Sequence, residues 1–95
     1  MARLVLLSEG LTGQTYELKS EKTTVGRLPD NAFQIPEASV SSHHCEITLR
    51  GSELFVHDLD STNGTFLGGK RISSPTQITL GTPIKVGATS FELRR

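Results

Sequence analysis

The sequence predicts an all-β domain, a sandwich of two sheets built from roughly ten short strands. Short apolar or alternating segments recur along the chain, and clusters of Gly, Pro, Ser and Asn separate them at regular intervals. No window longer than about ten residues keeps the spacing of an amphipathic helix. With 95 residues the chain can form one hydrophobic core but not two, so we expect a single domain over residues 1–95. The same pattern also fits the N-terminal module of a longer protein.

The N-terminal half carries four segments that we interpret as strands: residues 4–7, 14–19, 23–25 and 33–35. The first is continuously apolar, as expected for a strand buried on both faces, and a predicted turn over residues 8–13 follows it. The second alternates, with Tyr16 and Leu18 on one face. The third is β-branched and ends at Gly26, whereas Pro36 stops the fourth.

The C-terminal half continues the pattern, with strands predicted over residues 45–50, 53–57, 65–67, 70–72, 78–80, 84–86 and 91–93. The clearest alternation places Cys45, Ile47 and Leu49 on one face. Gly51-Ser52 provides the tight connection of a hairpin to the next strand. Gly68-Gly69 tolerates positive φ at both central positions of a turn, which predicts a further hairpin with a primed turn.

A polar loop over residues 58–66, with the sequence DLDSTNGTF, lies between two of these strands. Its short polar side chains are of the types that hydrogen-bond nearby backbone groups. We expect Asp58 and Asp60 to bond backbone inside the loop and hold it rigid, while Thr62 and Asn63 face a ligand. A rigid loop on a sandwich is a suitable place to carry function.

The composition argues against several classes of partner and location. Ten basic and ten acidic residues give a formal net charge of zero, which does not favour non-specific binding to nucleic acid or to an anionic membrane. The single cysteine, Cys45, cannot form an internal disulfide and fits a reducing compartment. The N-terminal apolar run is too short for a signal peptide or a membrane span. We therefore expect a cytoplasmic monomer with no nucleic-acid or membrane partner.

Metal-binding interpretations of the polar residues fail on spacing. Loop 58–66 begins like a calcium-binding loop, but Asn63 stands where that loop needs glycine and Gly69 where it needs a bidentate glutamate. The run His43-His44-Cys45 does not make a ligand set, because neighbouring strand residues point to opposite faces. We expect neither a metal nor a cofactor.

A Ser-His-Asp hydrolase is the enzymatic alternative, with Ser41 or Ser42 as nucleophile, His44 as base and Asp58 or Asp60 as the orienting acid. The sequence has no nucleophile elbow and no glycine-backed oxyanion loop beside either serine. Triads are recognised by geometry, so the sequence alone leaves this alternative open. Our expectation is that the protein is not an enzyme.

Three separate segments share a different chemistry: Gly26-Arg27, Ser41-Ser42-x-His44 and Thr62-Asn63-Gly64. Each lies in a loop or at a strand end, and the loops of a sandwich cluster at its two ends, so the three segments can converge. Together they offer one guanidinium, three hydroxyls and one carboxamide. These groups suit a phosphate with a peptide backbone beside it. None of them is an evident base or an activated nucleophile.

Together with Pro29-Asp30-Asn31 and residues 40–47 and 58–66, these segments resemble the forkhead-associated (FHA) domain. The resemblance is strongest over residues 23–72 and extends to nearly the whole chain. It implies an eleven-stranded β-sandwich of two sheets whose loops at one end bind phosphothreonine-containing proteins or peptides in Ser/Thr kinase signalling. An alternative is a scaffold of the same fold that binds a partner through a sheet face without phosphate.

The resemblance assigns phosphothreonine binding to four residues: Arg27, Ser41, Ser42 and Thr62. It assigns binding of the peptide backbone to Asn63. Gly26, His44 and Gly64 receive an architectural role, in which His44 braces the binding loops by hydrogen bonds. The family often has Arg, Asn or Lys at the position of Ser42. Serine is shorter and uncharged, so we expect its phosphate contact to be weaker or to pass through water.

Overall fold

The computed structural model describes residues 2–7 and 14–94, so the turn predicted over residues 8–13 lies outside the described residues. The described chain contains eleven strands and no helix. The strands are β1 (Arg3–Leu6), β2 (Thr15–Glu17), β3 (Lys22–Gly26), β4 (Phe33–Gln34), β5 (Cys45–Arg50), β6 (Glu53–Asp58), β7 (Thr65–Leu67), β8 (Lys70–Arg71), β9 (Thr76–Ile78), β10 (Pro83–Val86) and β11 (Thr89–Arg94).

The strands form two sheets that pack as a sandwich. One sheet has six strands in the order β2-β1-β11-β10-β7-β8, and the other has five in the order β4-β3-β5-β6-β9. Strand β3 pairs parallel to β4, while the other described pairs are antiparallel. The predicted all-β, eleven-stranded architecture is therefore confirmed. Within the described residues, no helix exists that could cross a membrane.

The core lies between the sheets and takes apolar side chains from both. In β5 the burial alternates as predicted, with Cys45 and Ile47 inside. Phe91 packs edge-on against Phe33 with 5.7 Å between ring centroids, and Tyr16 stacks on Phe33 at 5.5 Å. Complete burial raises the pKa of the Cys45 thiol far above its usual range, so this cysteine is a small core residue.

Two apolar residues of the predicted strands are exposed. Leu49 is 39% exposed although it shares the predicted face of Cys45 and Ile47, and Leu80, the predicted end of a strand over residues 78–80, is 52% exposed. Strand β9 ends at Ile78, so Leu80 follows the strand instead of continuing it. Both leucines line an open groove beside the turn that joins β5 to β6.

Several turns have the left-handed backbone that the glycine pattern predicts. Gly68 and Gly69 have φ values of 57° and 85°, which is the primed turn expected between β7 and β8. Gly87, in the turn between β10 and β11, has a φ of 61°. A Cβ atom there would lie 2.3 Å from the carbonyl oxygen of Ser39, and the Ser39 hydroxyl accepts a 2.9 Å hydrogen bond from the Ala88 N–H. This turn therefore packs directly on the loop that precedes β5.

We expect Gly87→Ala to destabilise the domain more than Gly51→Ala. Both glycines have nearly the same φ, 61° and 62°, so both substitutions carry a similar backbone cost of about 1–2 kcal/mol. Only at Gly87 would the new methyl group also collide with the main chain of Ser39, because no atom beyond the neighbouring residues lies within 4 Å at Gly51. Urea unfolding should show an additional loss of roughly 1–3 kcal/mol for Gly87→Ala. Equal losses would contradict a packed contact between this turn and Ser39.

Candidate functional site

Loops from three parts of the chain enclose an open cavity of about 510 Å³ at one end of the sandwich. The five residues predicted to contact a ligand all line it: Arg27, Ser41, Ser42, Thr62 and Asn63. The wall is completed by Ala38, Ser39, Val40, His43, Leu59 and Asp60. The loops that contribute are the end of β3, the segment before β5 and the connection between β6 and β7. The fold thus brings the separate sequence segments together.

Arg27 supplies the fixed positive charge of this cavity. Its Nε donates to the Val40 carbonyl at 3.1 Å and its Nη2 donates to the Ser42 hydroxyl at 3.2 Å. Its main-chain N–H donates to the Ser41 carbonyl at 2.9 Å. Among the described residues, no carboxylate forms an ion pair with this guanidinium. Arg27 is therefore oriented by neutral groups, and its charge and remaining N–H donors are available to an anion.

Two hydrogen bonds from the Asn31 side chain hold the main chain on the Arg27 side of the cavity. The Asn31 side chain, which is 6% exposed, donates from Nδ2 to the carbonyls of Leu28 at 2.9 Å and Ser42 at 2.7 Å. Gly26 permits this approach, since a Cβ there would lie 2.3 Å from the Ser42 carbonyl oxygen. The sequence motif contained Asn31, but no role was predicted for it because its carbonyl partners depend on how the loops fold together.

Ser41 joins the loop before β5 to the loop after β6. Its hydroxyl oxygen accepts a 3.0 Å hydrogen bond from the Thr62 N–H. The Ser41 hydroxyl hydrogen is then free to point into the cavity as a donor. The Thr62 hydroxyl makes no hydrogen bond with the described residues and is a second neutral donor at the same wall.

His44 lies beneath these two loops and is completely buried. Its Nδ1 accepts a 3.0 Å hydrogen bond from the Ser41 N–H, which assigns the ring hydrogen to Nε2. That Nε2–H donates to the Gly64 carbonyl at 2.8 Å. The neutral imidazole thus connects the main chains of both binding loops.

The same geometry does not match a Ser-His-Asp triad. Both ring nitrogens of His44 are engaged by main-chain groups, so neither forms a hydrogen bond with the hydroxyl of Ser41 or Ser42. The Ser41 hydroxyl instead accepts from the Thr62 N–H. Among the described residues, no group of three or more His, Cys, Asp or Glu side chains is arranged to hold a metal ion.

Asp58 organises the loop between β6 and β7. Its carboxylate accepts hydrogen bonds from the Ser61 N–H at 3.2 Å, the Ser61 hydroxyl at 2.5 Å and the Thr65 hydroxyl at 2.6 Å. Ser61 in turn accepts from the Gly64 N–H at 3.0 Å. Partial burial raises the pKa of Asp58, but the hydrogen bonds from Ser61 and Thr65 outweigh it, so the net pKa lies below its ordinary value.

Asp60 differs from the expectation for this loop. It is exposed on the cavity wall, has a left-handed φ of 57° and makes no hydrogen bond with the described residues. Asp58 already accepts the backbone and hydroxyl donors of the loop, so the prediction that both acids bond inside the loop is correct for Asp58 and wrong for Asp60.

Asn63 and Gly64 complete the cavity wall. The Asn63 Nδ2 donates to the Ser39 carbonyl at 2.8 Å, which leaves its carboxamide oxygen and second N–H for a ligand. Gly64 has a φ of 85°, and a Cβ there would lie 2.8 Å from the Arg71 Nε. Sequence reasoning missed Ser39, which receives hydrogen bonds from both Asn63 and Ala88. Nothing in the local sequence signals this role, because the partners are distant along the chain.

Comparisons with known proteins place this site in context. The model of the FHA domain family matches residues 23–87. The FHA domain-containing protein FhaB of Mycobacterium tuberculosis is 36% identical over 94 residues, which is 98% of this chain and 61% of FhaB. This chain therefore spans about three fifths of the length of that curated relative.

Solved structures agree with the family match. A chain from a structural and functional analysis of phosphothreonine-dependent FHA domain interactions has a TM-score of 0.89 and 31% identity, with 99% of this chain and 95% of that chain covered. Mycobacterium tuberculosis EmbR, in complex with a low-affinity phosphopeptide, also has a TM-score of 0.89 and 31% identity. That match covers 98% of this chain and 24% of EmbR.

The lowered pKa of Asp58 predicts a stability that depends on pH. Its carboxylate is favoured in the folded state, so its contribution is fully present above the ordinary pKa near 3.8 and is lost as the pH falls through the folded-state pKa. We expect Asp58→Asn to lower the free energy of unfolding by roughly 1–3 kcal/mol at pH 7. Urea unfolding at pH 7, 5 and 3 should show this difference shrinking at the lowest pH.

Asp60→Asn is the matched control for Asp58→Asn. It removes the same charge from the same loop, and asparagine also tolerates the left-handed backbone of that position. We expect its unfolding free energy to stay close to that of the unsubstituted domain. A loss for Asp58→Asn that is the same at all three pH values would show that its charge does not carry the effect.

Proposed function

Because the chain belongs to the forkhead-associated (FHA) domain family, we propose that it is a module that binds phosphothreonine-containing partners in Ser/Thr kinase signalling. The observation that carries this proposal is the guanidinium of Arg27, which is oriented on the cavity by neutral partners and lacks an ion pair among the described residues. A charged group held in this way is suited to an anion brought by a ligand.

The phosphate would lie beside Arg27 and the hydroxyls of the neighbouring loops. A phosphate at pH 7 carries between one and two negative charges and three acceptor oxygens. Arg27 supplies charge-assisted donors, whereas Ser41, Ser42 and Thr62 supply neutral hydroxyl donors. Ser42 also accepts from the Arg27 Nη2, so its hydrogen is directed away from the guanidinium. These groups can together contact all three oxygens.

The peptide main chain would be held by Asn63. Its carboxamide is anchored at one N–H by the Ser39 carbonyl, and its remaining donor and acceptor are those that a peptide group needs. The footprint of a short peptide on these loops is small, so we propose weak and reversible binding.

Selectivity for threonine would come from its γ-methyl group. The same cavity wall contains three apolar residues, Ala38, Val40 and Leu59. One methyl group in an apolar niche contributes about 1–3 kcal/mol, which corresponds to a preference of about 5- to 150-fold over phosphoserine.

We further propose that the domain acts as a monomer in the cytoplasm and is not an enzyme. The fully buried free thiol of Cys45 is compatible with a reducing compartment. The engagement of both His44 ring nitrogens by main chain supports a bracing role over a catalytic one.

We expect Arg27→Ala to weaken binding of a phosphothreonine peptide by about 10- to 150-fold, because it removes a charge-assisted contact of roughly 1.5–3 kcal/mol. Ser41→Ala should also weaken binding, since it removes a hydroxyl donor and the acceptor for the Thr62 N–H. Isothermal titration calorimetry with matched phosphothreonine and threonine peptides provides the measurement, and thermal melting should change little for Arg27→Ala.

Arg50→Ala is the matched control, because Arg50 is an exposed arginine at the end of β5 away from the cavity. It should bind like the unsubstituted domain, and Arg27→Lys should recover only part of the affinity because lysine lacks the guanidinium fork. If the unmodified threonine peptide binds as tightly as the phosphopeptide, the proposal is wrong and the domain is a scaffold that binds its partner without phosphate.

A further inference from the structure

His43 is a wall residue of the cavity that the proposed function leaves without a role. It follows Ser42 directly, and its Nε2 lies 2.8 Å from Oδ2 of Asp30. The two side chains are 47% and 65% exposed, so solvent protons reach the pair freely. The Asp30 carboxylate can only accept, which places a hydrogen on His43 Nε2. The Nδ1 atom has no hydrogen-bond partner among the described residues and becomes a donor only when the ring is protonated.

The charged groups around His43 become mainly negative when an anion binds. Asp30 contacts the ring from the turn after β3, and Arg27 and Asp60 line the same cavity from the end of β3 and from loop 58–66. Without a ligand, these charged groups near His43 are therefore two carboxylates and one guanidinium. A phosphate adds one to two further negative charges. A second cation beside Arg27 would offset part of this charge, and Ser42 cannot provide one.

We propose that His43 is a proton-dependent contact of the phosphopeptide. On binding, the ring takes up a proton from solvent at Nδ1, and the resulting imidazolium, held through Nε2 by Asp30, supplies the second positive charge at the phosphate. This inference rests on the proposed function, because it names a further residue and a pH dependence of the same site. The affinity of the unsubstituted domain relative to a variant without the imidazole then rises as the pH falls from 8 to 6.5.

The experiment separates this effect from the titration of the ligand itself. The second ionisation of a phosphothreonine lies near pH 6 and affects every protein variant alike. The ratio of the affinities of two variants for one peptide therefore isolates the contribution of His43. The probe is a phosphothreonine peptide selected from a degenerate library, titrated calorimetrically at pH 8, 7.25 and 6.5.

We expect the ratio of the affinity of the unsubstituted domain to that of His43→Gln to be close to one at pH 8. At pH 6.5 this ratio should reach about three to five. His43→Lys, which carries its charge throughout this range, should bind more tightly than the unsubstituted domain at pH 8 and lose the additional pH dependence. In two buffers of different ionisation heat, the unsubstituted domain should take up more protons on binding than His43→Gln. His57→Gln is the matched control, because His57 is an exposed strand residue outside the cavity, and should behave like the unsubstituted domain.

A purely structural role for the pair of His43 and Asp30 gives different results. If the pair only orients the loop, His43→Gln weakens peptide binding by the same factor at every pH. His43→Lys then binds the peptide no better than His43→Gln at pH 8. Either result overturns the inference. If the domain binds the peptide and loses it on Arg27→Ala while the ratio for His43 stays flat, only this inference fails. A domain that binds no phosphothreonine peptide at any of these pH values overturns the proposed function as well.

Discussion

The cavity depends on one buried hydrogen-bonded bridge through His44. The imidazole accepts from the Ser41 N–H and donates to the Gly64 carbonyl, so it fixes the spacing between two loops that are about twenty residues apart in sequence. The imidazole is fully buried, and so is its hydrogen bond to Gly64, where water does not compete for the carbonyl. The hydrogen bond from the Thr62 N–H to the Ser41 hydroxyl then forms above it between the same loops. These contacts together hold Ser41 and Thr62 on one wall of the cavity.

Three polar residues of the cavity, Arg27, Ser41 and Asn63, are each bound to the fold by one part of the side chain and have another part left for a ligand. Arg27 uses Nε and one Nη2 donor, Ser41 uses an oxygen lone pair and Asn63 uses one amide hydrogen. The remaining donors and acceptors are oriented before any ligand arrives. Such pre-organisation reduces the entropy lost on binding, which allows a small footprint to be specific.

The sequence predicts the parts of this fold that depend on local pattern. Alternation identified the buried face of β5 at Cys45 and Ile47, and paired glycines identified the turn at Gly68. The order of short polar motifs indicated the cavity residues. The packing of Gly87 on Ser39 could not be predicted, because the Ala88 hydrogen bond to Ser39 joins positions 49 residues apart. The exposure of Leu49 and Leu80 in one groove likewise depends on how distant segments pack together, which no local pattern encodes.

The cavity wall combines one fixed guanidinium with several neutral hydroxyl donors. A cavity that gathered several fixed cations would attract nucleic acid and other polyanions through long-range fields. Here, one fixed guanidinium stands beside hydroxyl donors, and Asp60 on the same wall weakens the long-range attraction. Neutral donors act only at hydrogen-bonding distance, so an anion gains their contribution only when its oxygens match their positions. The specificity of such a site therefore comes from the geometry that His44, Asp58 and Asn31 maintain, and much less from its net charge.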